Sequence, residues 1–230
     1  RLIRMVDFKR ILIIEENEEI SKLLHLTLEK AGYDTTFAYS GTEGLFQLQN
    51  NTFDLILLGL MLPGKREDLI KDIRKESSIP IIVISAKVNI EDKVHVLILG
   101  ADDYITKPFD HKEVLARIEI QLRKSHTYHS TQPNEIVWRG IKINLDEHSV
   151  TLNDQKLLVT NAEFDILALL ASHPKRAFSK QEIYEKIWKD TYVGDDNTIS
   201  VHISNIRKKM ATITSEEYIK TIWGVGFMMI

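Results

Sequence analysis

Short uninterrupted apolar runs lie at 11–14, 55–58 and 81–84, and the segments between them carry a different period. A strand covered on both faces loses the apolar–polar alternation, so these runs predict buried parallel strands. Weaker strands fit at 35–38 and 104–106. The intervening stretches have helical spacing: over 19–31, Ile20, Leu23, Leu24, Leu28 and Ala31 share one face, and Gly32 supplies a stop. Strand and helix alternate five times. That order predicts an α/β fold, a doubly wound five-stranded parallel sheet, whose site lies beyond the carboxyl ends of the strands where the strand order reverses.

The pattern fails after Lys124. Residues 125–134 (SHTYHSTQPN) are polar and without period, as a linker is. A second, α+β domain follows. Strand-like pieces at 136–138, 141–145 and 149–152 are broken by the turn pairs Arg139-Gly140 and Asn153-Asp154. Two helices then start with capping boxes, Thr160-x-x-Glu163 and Ser179-x-x-Glu182, in which a hydroxyl and a carboxylate satisfy otherwise orphaned amides. A third helix is expected over 197–210, led in by Asp195 and Asp196, and the chain closes with a hairpin around 223–227. The expected organisation is a first domain at 5–124, a linker at 125–134 and a second domain at 135–230.

On a wheel of the third helix, Ile199, Ile203, Ile206 and Met210 form one face, and Asn197, Val201, Ser204, Asn205 and Lys208 lie opposite. His202, Arg207 and Lys209 flank that second face. Compact hydrogen-bonding groups with cations beside them suit a helix entering a DNA major groove, where the polar groups read base edges and the cations meet phosphates. From composition alone the favoured reading is a solvated face with a basic last turn that complements the helix dipole.

Composition narrows the classes of function. The 230 residues are 43% hydrophobic and 27% charged, ordinary globular material for two small domains. No apolar run approaches the roughly 20 residues of a membrane span, and none near the N-terminus has the form of a signal peptide, so a cytoplasmic location is expected. Without cysteine there is no disulfide or thiolate chemistry. The net charge of -3 makes any nucleic-acid surface a local patch. No Walker or dinucleotide-type glycine loop is present, Gly41-Thr42-Glu43-Gly44 being too sparse, so no enzyme and no cofactor are expected. His126 and His129 in the linker are too isolated to assign a metal.

The segments ILIIEENEEI, FDLILLGLMLPG, PIIVISAK and GADDYITKPF, followed by AEFDILALLASHP, FSKQEIYEKIW, TISVHISNIRKKM and YIKTIWGVGF, resemble the OmpR/PhoB family of bacterial response regulators. The likeness runs in order from Phe8 onward. It implies a receiver domain followed by a winged-helix DNA-binding domain, whose third helix enters the major groove and whose terminal hairpin forms a wing. The expected DNA-binding residues are Asn197, Thr198, Val201, His202, Ser204, Asn205, Arg207, Lys208, Lys209, Trp223 and Gly224, with Asn205 placed to pair with adenine. The loop 189–196 is a candidate contact with RNA polymerase. A symmetric homodimer through the face of the fourth helix, fifth strand and fifth helix would use Lys93, Asp102, Asp103, Glu113 and Arg117. Double-stranded DNA with tandem half-sites is the expected partner.

The sequence departs from that pattern at the phosphorylation pocket. The family's acidic pair, acceptor aspartate, Ser/Thr and lysine fall on Glu15 and Glu16, Gly59, Ser85 and Lys107. Glycine supplies neither a nucleophile nor a ligand for Mg²⁺, which needs several hard oxygens in near-octahedral geometry. Glu16 stands where an aspartate is usual, and the following loop, 62–67, is one residue shorter than the family's and brings in Lys65 and Arg66. Asp54 is no substitute, lying about 16 Å back along the strand and on its other face. These changes together predict a degenerate pocket, no catalytic residue and a regulator that acts without phosphorylation. Two alternatives stand beside it: a pseudo-receiver gated by a small molecule or protein at the vacated pocket, and a working receiver carrying an engineered substitution at Gly59. Over residues 131–230, the second domain with the end of the linker, 12 Lys+Arg face 13 Asp+Glu, so DNA affinity would lean on dimerisation. Arginine is also missing at Asn197, Ser204 and Met228, where the family often has it.

Overall fold

The computed structural model describes residues 9–60, 67–87, 89–123, 134–188 and 197–230. The chain forms two compact units, Arg1–Asn89 with Leu99–Leu122, and Ile90–Ile98 with Arg123–Ile230. The first part of the chain runs β1 (Arg10–Ile14), α1 (Glu18–Lys30), β2 (Asp34–Ala38), α2 (Gly41–Asn50), β3 (Leu55–Leu60), α3 (Glu67–Glu76), β4 (Ile81–Ser85), α4 (Ile90–Leu99), β5 (Asp103–Thr106) and α5 (His111–Arg123). All five strands pair in parallel in the order β2-β1-β3-β4-β5. The expected doubly wound sheet is therefore present, with its reversal of order between β1 and β3.

Both faces of the central strands are covered, which explains their unbroken apolar runs. Ile11, Ile13, Leu55, Leu57, Ile82 and Ile84 pack against Leu24 and Leu28 of α1 and Val114 and Ile118 of α5. Their alternates Leu12, Ile14, Ile56 and Leu58 are also fully buried. Each such side chain contributes about 1.5–3 kcal/mol of burial, which fixes the strand ends and hence the site beyond them. At the head of α1, the Asn17 side chain accepts a hydrogen bond from Ile20 N, with Glu18 and Glu19 in the positively polarised first turn.

The second part runs β6 (Glu135–Trp138), β7 (Ile141–Asn144), β8 (Ser149–Leu152), β9 (Gln155–Lys156), α6 (Asn161–Ala171), β10 (Ala177–Ser179), α7 (Lys180–Trp188), α8 (Thr198–Ala211), β11 (Ile219–Ile222) and β12 (Gly226–Met229). An antiparallel sheet β6-β7-β8-β9 and a three-stranded sheet β10-β12-β11 accompany the three helices. The turn at Asn153-Asp154 uses the left-handed backbone that these residue types tolerate, with φ of 51° and 60°, and Arg139, before Gly140, also has a positive φ of 51°. Both arms of the Thr160–Glu163 capping box are formed, and Glu182 N donates to Ser179 Oγ at 3.0 Å. The two-residue β9 and three-residue β10 carry too little alternation to be legible in advance. β10 is visible only through its pairing with β12, where a Cβ on Gly226 would fall 2.0 Å from Phe178 O, so the close approach of the two strands requires glycine.

Candidate functional site

The reversal of strand order brings four expected pocket residues to one corner of the first unit. Glu15 follows β1, Gly59 lies one residue before the end of β3, Ser85 ends β4 and Lys107 follows β5. Lys107 Nζ donates to Glu15 Oε2 at 2.8 Å, and Asn17 N donates to Glu15 Oε1 at 3.1 Å. The pair is buried, Glu15 to 1% side-chain exposure and Lys107 to 10%. A Cβ added to Gly59 would lie 1.9 Å from Glu15 Oε2, far inside van der Waals contact. Ser85 Oγ donates to Leu60 O at 3.1 Å and accepts from Lys87 N at 3.2 Å. Glu16 is exposed. Asp54 sits at the opposite end of the sheet, accepting from Lys9 Nζ at 2.7 Å and Arg10 N at 2.8 Å.

These residues do not fit Mg²⁺. Glu15 spends one oxygen on Lys107 and the other on Asn17, and Gly59 offers no side-chain oxygen, where the ion needs several hard donors at once. Among the described residues no three His, Asp or Glu side chains converge on a common metal position. The loop 62–67 is described only from Glu67 on, so Lys65 and Arg66 lie outside the described residues, as do the linker histidines His126 and His129.

The residues expected at a dimer face divide into two kinds. Arg117 joins Asp103 (2.9 Å) and Glu113 (3.0 Å) in one network on β5 and α5. Asp102 requires a correction: it is fully buried, and its carboxylate accepts from Arg74 Nη2 at 2.8 Å and Ile81 N at 2.9 Å. Arg74 also donates to Gly100 O and Ile79 O, so this cluster ties α3 to the ends of β4 and β5 rather than presenting a carboxylate outward. Lys93 is half-buried on α4.

In the second unit the helix α8 exposes less than its wheel suggests. Asn197, Ser204 and Lys208 are exposed. Val201, His202, Asn205 and Thr198 are buried, to 7%, 1%, 8% and 4%. His202 stacks on Trp188 with ring centroids 5.9 Å apart, which makes it a packing residue and not a phosphate contact in this structure. Asn205 Nδ2 donates to Leu97 O at 3.1 Å, within the unit that includes residues 90–98. Two expected phosphate contacts hold the fold together: Arg207 donates to Ile219 O and Thr221 Oγ1, and Lys209 pairs with the fully buried Glu163 at 2.5 Å.

A cleft of about 560 Å³ is lined by Lys180 and Gln181 at the start of α7, Ser200 and Arg207 of α8, and residues 221–227 of the terminal hairpin. Trp223, 91% exposed, stands with Gly224 at the hairpin tip. Lys180, Gln181 and Ser200 were not singled out in the sequence. The Ser179 cap was the available signal, because it fixes the residues after it at a helix N-terminus, where amides point outward. The polymerase-contact candidate, 189–196, lies outside the described residues. No described helix is long and apolar enough to cross a membrane.

Comparison with known proteins agrees with this architecture. Residues 11–119 match the response regulator receiver domain, and residues 154–229 match the family described as transcriptional regulatory protein, C terminal. The chain is 37% identical over 223 residues to the uncharacterized transcriptional regulatory protein YcbL of Bacillus subtilis, covering 95% of this chain and 99% of that protein. It is 38% identical over 224 residues to the regulatory protein VanR of Enterococcus faecium, covering 95% and 97%. Among solved structures, a RitR mutant superposes with a TM-score of 0.74 at 26% identity, over 96% of this chain and 99% of that one. The Thermotoga maritima OmpR/PhoB homolog DrrB, at 23% identity and a TM-score of 0.51, shares the fold. The chain belongs to the response-regulator family, as a transcriptional regulator of the OmpR/PhoB type that joins a receiver domain to a C-terminal DNA-binding domain.

Proposed function

We propose that this regulator binds DNA in a sequence-specific manner without receiving a phosphoryl group, as a homodimer formed through α4, β5 and α5. The observation that carries the reading is Gly59. At the carboxyl end of β3, beside the Glu15 carboxylate across the switch point, there is no side-chain atom to attack phosphorus and none to bind Mg²⁺. The functional divisions on this reading are 5–124, 125–134 and 135–230. Two copies would set two α8 helices on tandem half-sites about one turn of DNA apart.

Contacts divide by chemistry. On this reading Lys208, Lys180 and the backbone at the hairpin tip would meet phosphates, and Asn197, Ser204 and Asn205 would meet base edges. Reading by Asn205 requires its amide to exchange the Leu97 carbonyl for a base. The loop 189–196 is the candidate polymerase contact. The gated-pocket alternative is less favoured, because the space at Gly59 is filled by the Glu15 carboxylate.

Selection of bound duplexes from a randomised pool tests the reading. Direct repeats spaced about one helical turn are expected. Enrichment of a single half-site, or of none, would count against the dimeric DNA reader.

A further inference from the structure

The terminal hairpin turns through residues 222–225, where Val225 N donates to Ile222 O at 2.9 Å. Gly224, third in that turn, has a φ of 75°, the left-handed conformation that a type II turn requires there and that favours glycine. Trp223 takes the second position, outside both strands, and is 91% exposed. Among the described residues no other large apolar side chain is as exposed. Val225 beside it is 51% exposed, and residues 221–230 include no charged side chain. The tip is therefore apolar and has no cation for a phosphate.

The base of the hairpin is fixed. Arg207 of α8 donates to Ile219 O and Thr221 Oγ1 and lies over the Phe227 ring at 5.9 Å, so helix and hairpin are tied together. The cleft that they line with the start of α7 has two cations, Lys180 and Arg207, and no acidic side chain. This is a local excess of positive charge in a region, 131–230, where acids outnumber bases. Such a cleft suits a phosphate strand, and a residue standing beyond that strand meets stacked bases from the minor groove.

We propose that Trp223 is an apolar wedge that enters the minor groove beside the α8 site and partly unstacks one base step, so that the hairpin selects deformable DNA. The inference rests on the DNA-binding reading and names what the hairpin does within it. A tight turn on an anchored base presents the indole with little left to order on contact. Unstacking costs least at pyrimidine–purine steps, so selection at the flank follows from stiffness and not from hydrogen bonds to base edges. A protein partner is the other occupant for such a tip; the cations of the neighbouring cleft favour the polyanion.

The full chain on a selected duplex tests this, with 2-aminopurine placed in turn at each flanking step and affinity read by anisotropy over a range of salt. Trp223→Ala is expected to keep Tm within about 1 °C, because the side chain is almost wholly outside the packing. It should weaken binding about tenfold, abolish a 2-aminopurine rise that the unaltered chain gives at one step, and leave the log–log salt slope unchanged. Changing that step from TA to AA should weaken the unaltered chain about fivefold and the variant less than about twofold. Affinity of Trp223→Ala within about twofold of the unaltered chain, or no 2-aminopurine rise at any flanking step, would overturn the wedge and leave the tip to a protein partner. Failure of the unaltered chain to bind any selected duplex would overturn the DNA-binding reading, and the wedge with it.

Discussion

Lys209 Nζ lies 2.5 Å from Glu163 Oε2, joining the last turn of α8 to the capping box that starts α6. The carboxylate is fully buried and also accepts from Thr160 N at 2.8 Å, so one acid serves a helix cap and an ion pair. A cation expected on DNA is thereby a structural residue. Lys209→Met is expected to cost about 2 kcal/mol of stability by leaving that buried acid short of a partner. Urea unfolding of the two chains measures it, and a change below about 0.5 kcal/mol would show the pair to be incidental.

Lys208, one residue earlier and exposed, has the opposite profile. Lys208→Ala is expected to leave stability within about 0.5 kcal/mol and to weaken binding to all DNA sequences alike, reducing the log–log salt slope by about 1. Anisotropy titrations at several salt concentrations check both parts.

Arg207 anchors the wing. Its Nε and Nη2 both donate to Ile219 O, at 3.0 and 2.7 Å, and Nη2 reaches Thr221 Oγ1 at 3.0 Å. A lysine cannot reproduce that fork. Arg207→Lys should therefore lower stability by about 1 kcal/mol despite keeping the charge, with Arg207→Ala lower still, by calorimetry.

The parallel sheet and the order of the helices were legible in the sequence because burial on both faces leaves uninterrupted apolar runs, as at Ile11–Ile14. The corner where Glu15, Gly59, Ser85 and Lys107 meet followed from the fold and the motifs. The Glu15–Lys107 pair was less accessible, since a spacing of 92 residues says nothing of which carboxylate a lysine will choose. The exposed face of α8 was overestimated for a physical reason. A helical wheel assumes one packing partner, whereas α8 is covered beyond its Ile199–Ile203–Ile206 face, so Val201, His202 and Asn205 are buried as well. Asp102 was misplaced for a similar reason, because Arg74, its partner, lies on a different helix 28 residues earlier.

That placement separates two neighbouring aspartates. Asp102→Ala should cost about 3 kcal/mol by stranding Arg74, without changing the dimerisation constant. Arg117→Ala, which breaks the Asp103–Arg117–Glu113 network, should weaken dimerisation about tenfold. Sedimentation equilibrium with denaturant unfolding distinguishes them; equal effects on dimerisation would contradict the division.

The most direct test of the central claim is the response of the unaltered protein to acetyl phosphate with Mg²⁺, read as the dimerisation constant and the affinity for a selected DNA site. Phosphate independence predicts both unchanged, within about twofold. A rise of tenfold or more in either, accompanied by a phosphorylated side chain, would mean that the pocket around Gly59 still accepts a phosphoryl group and would contradict the account.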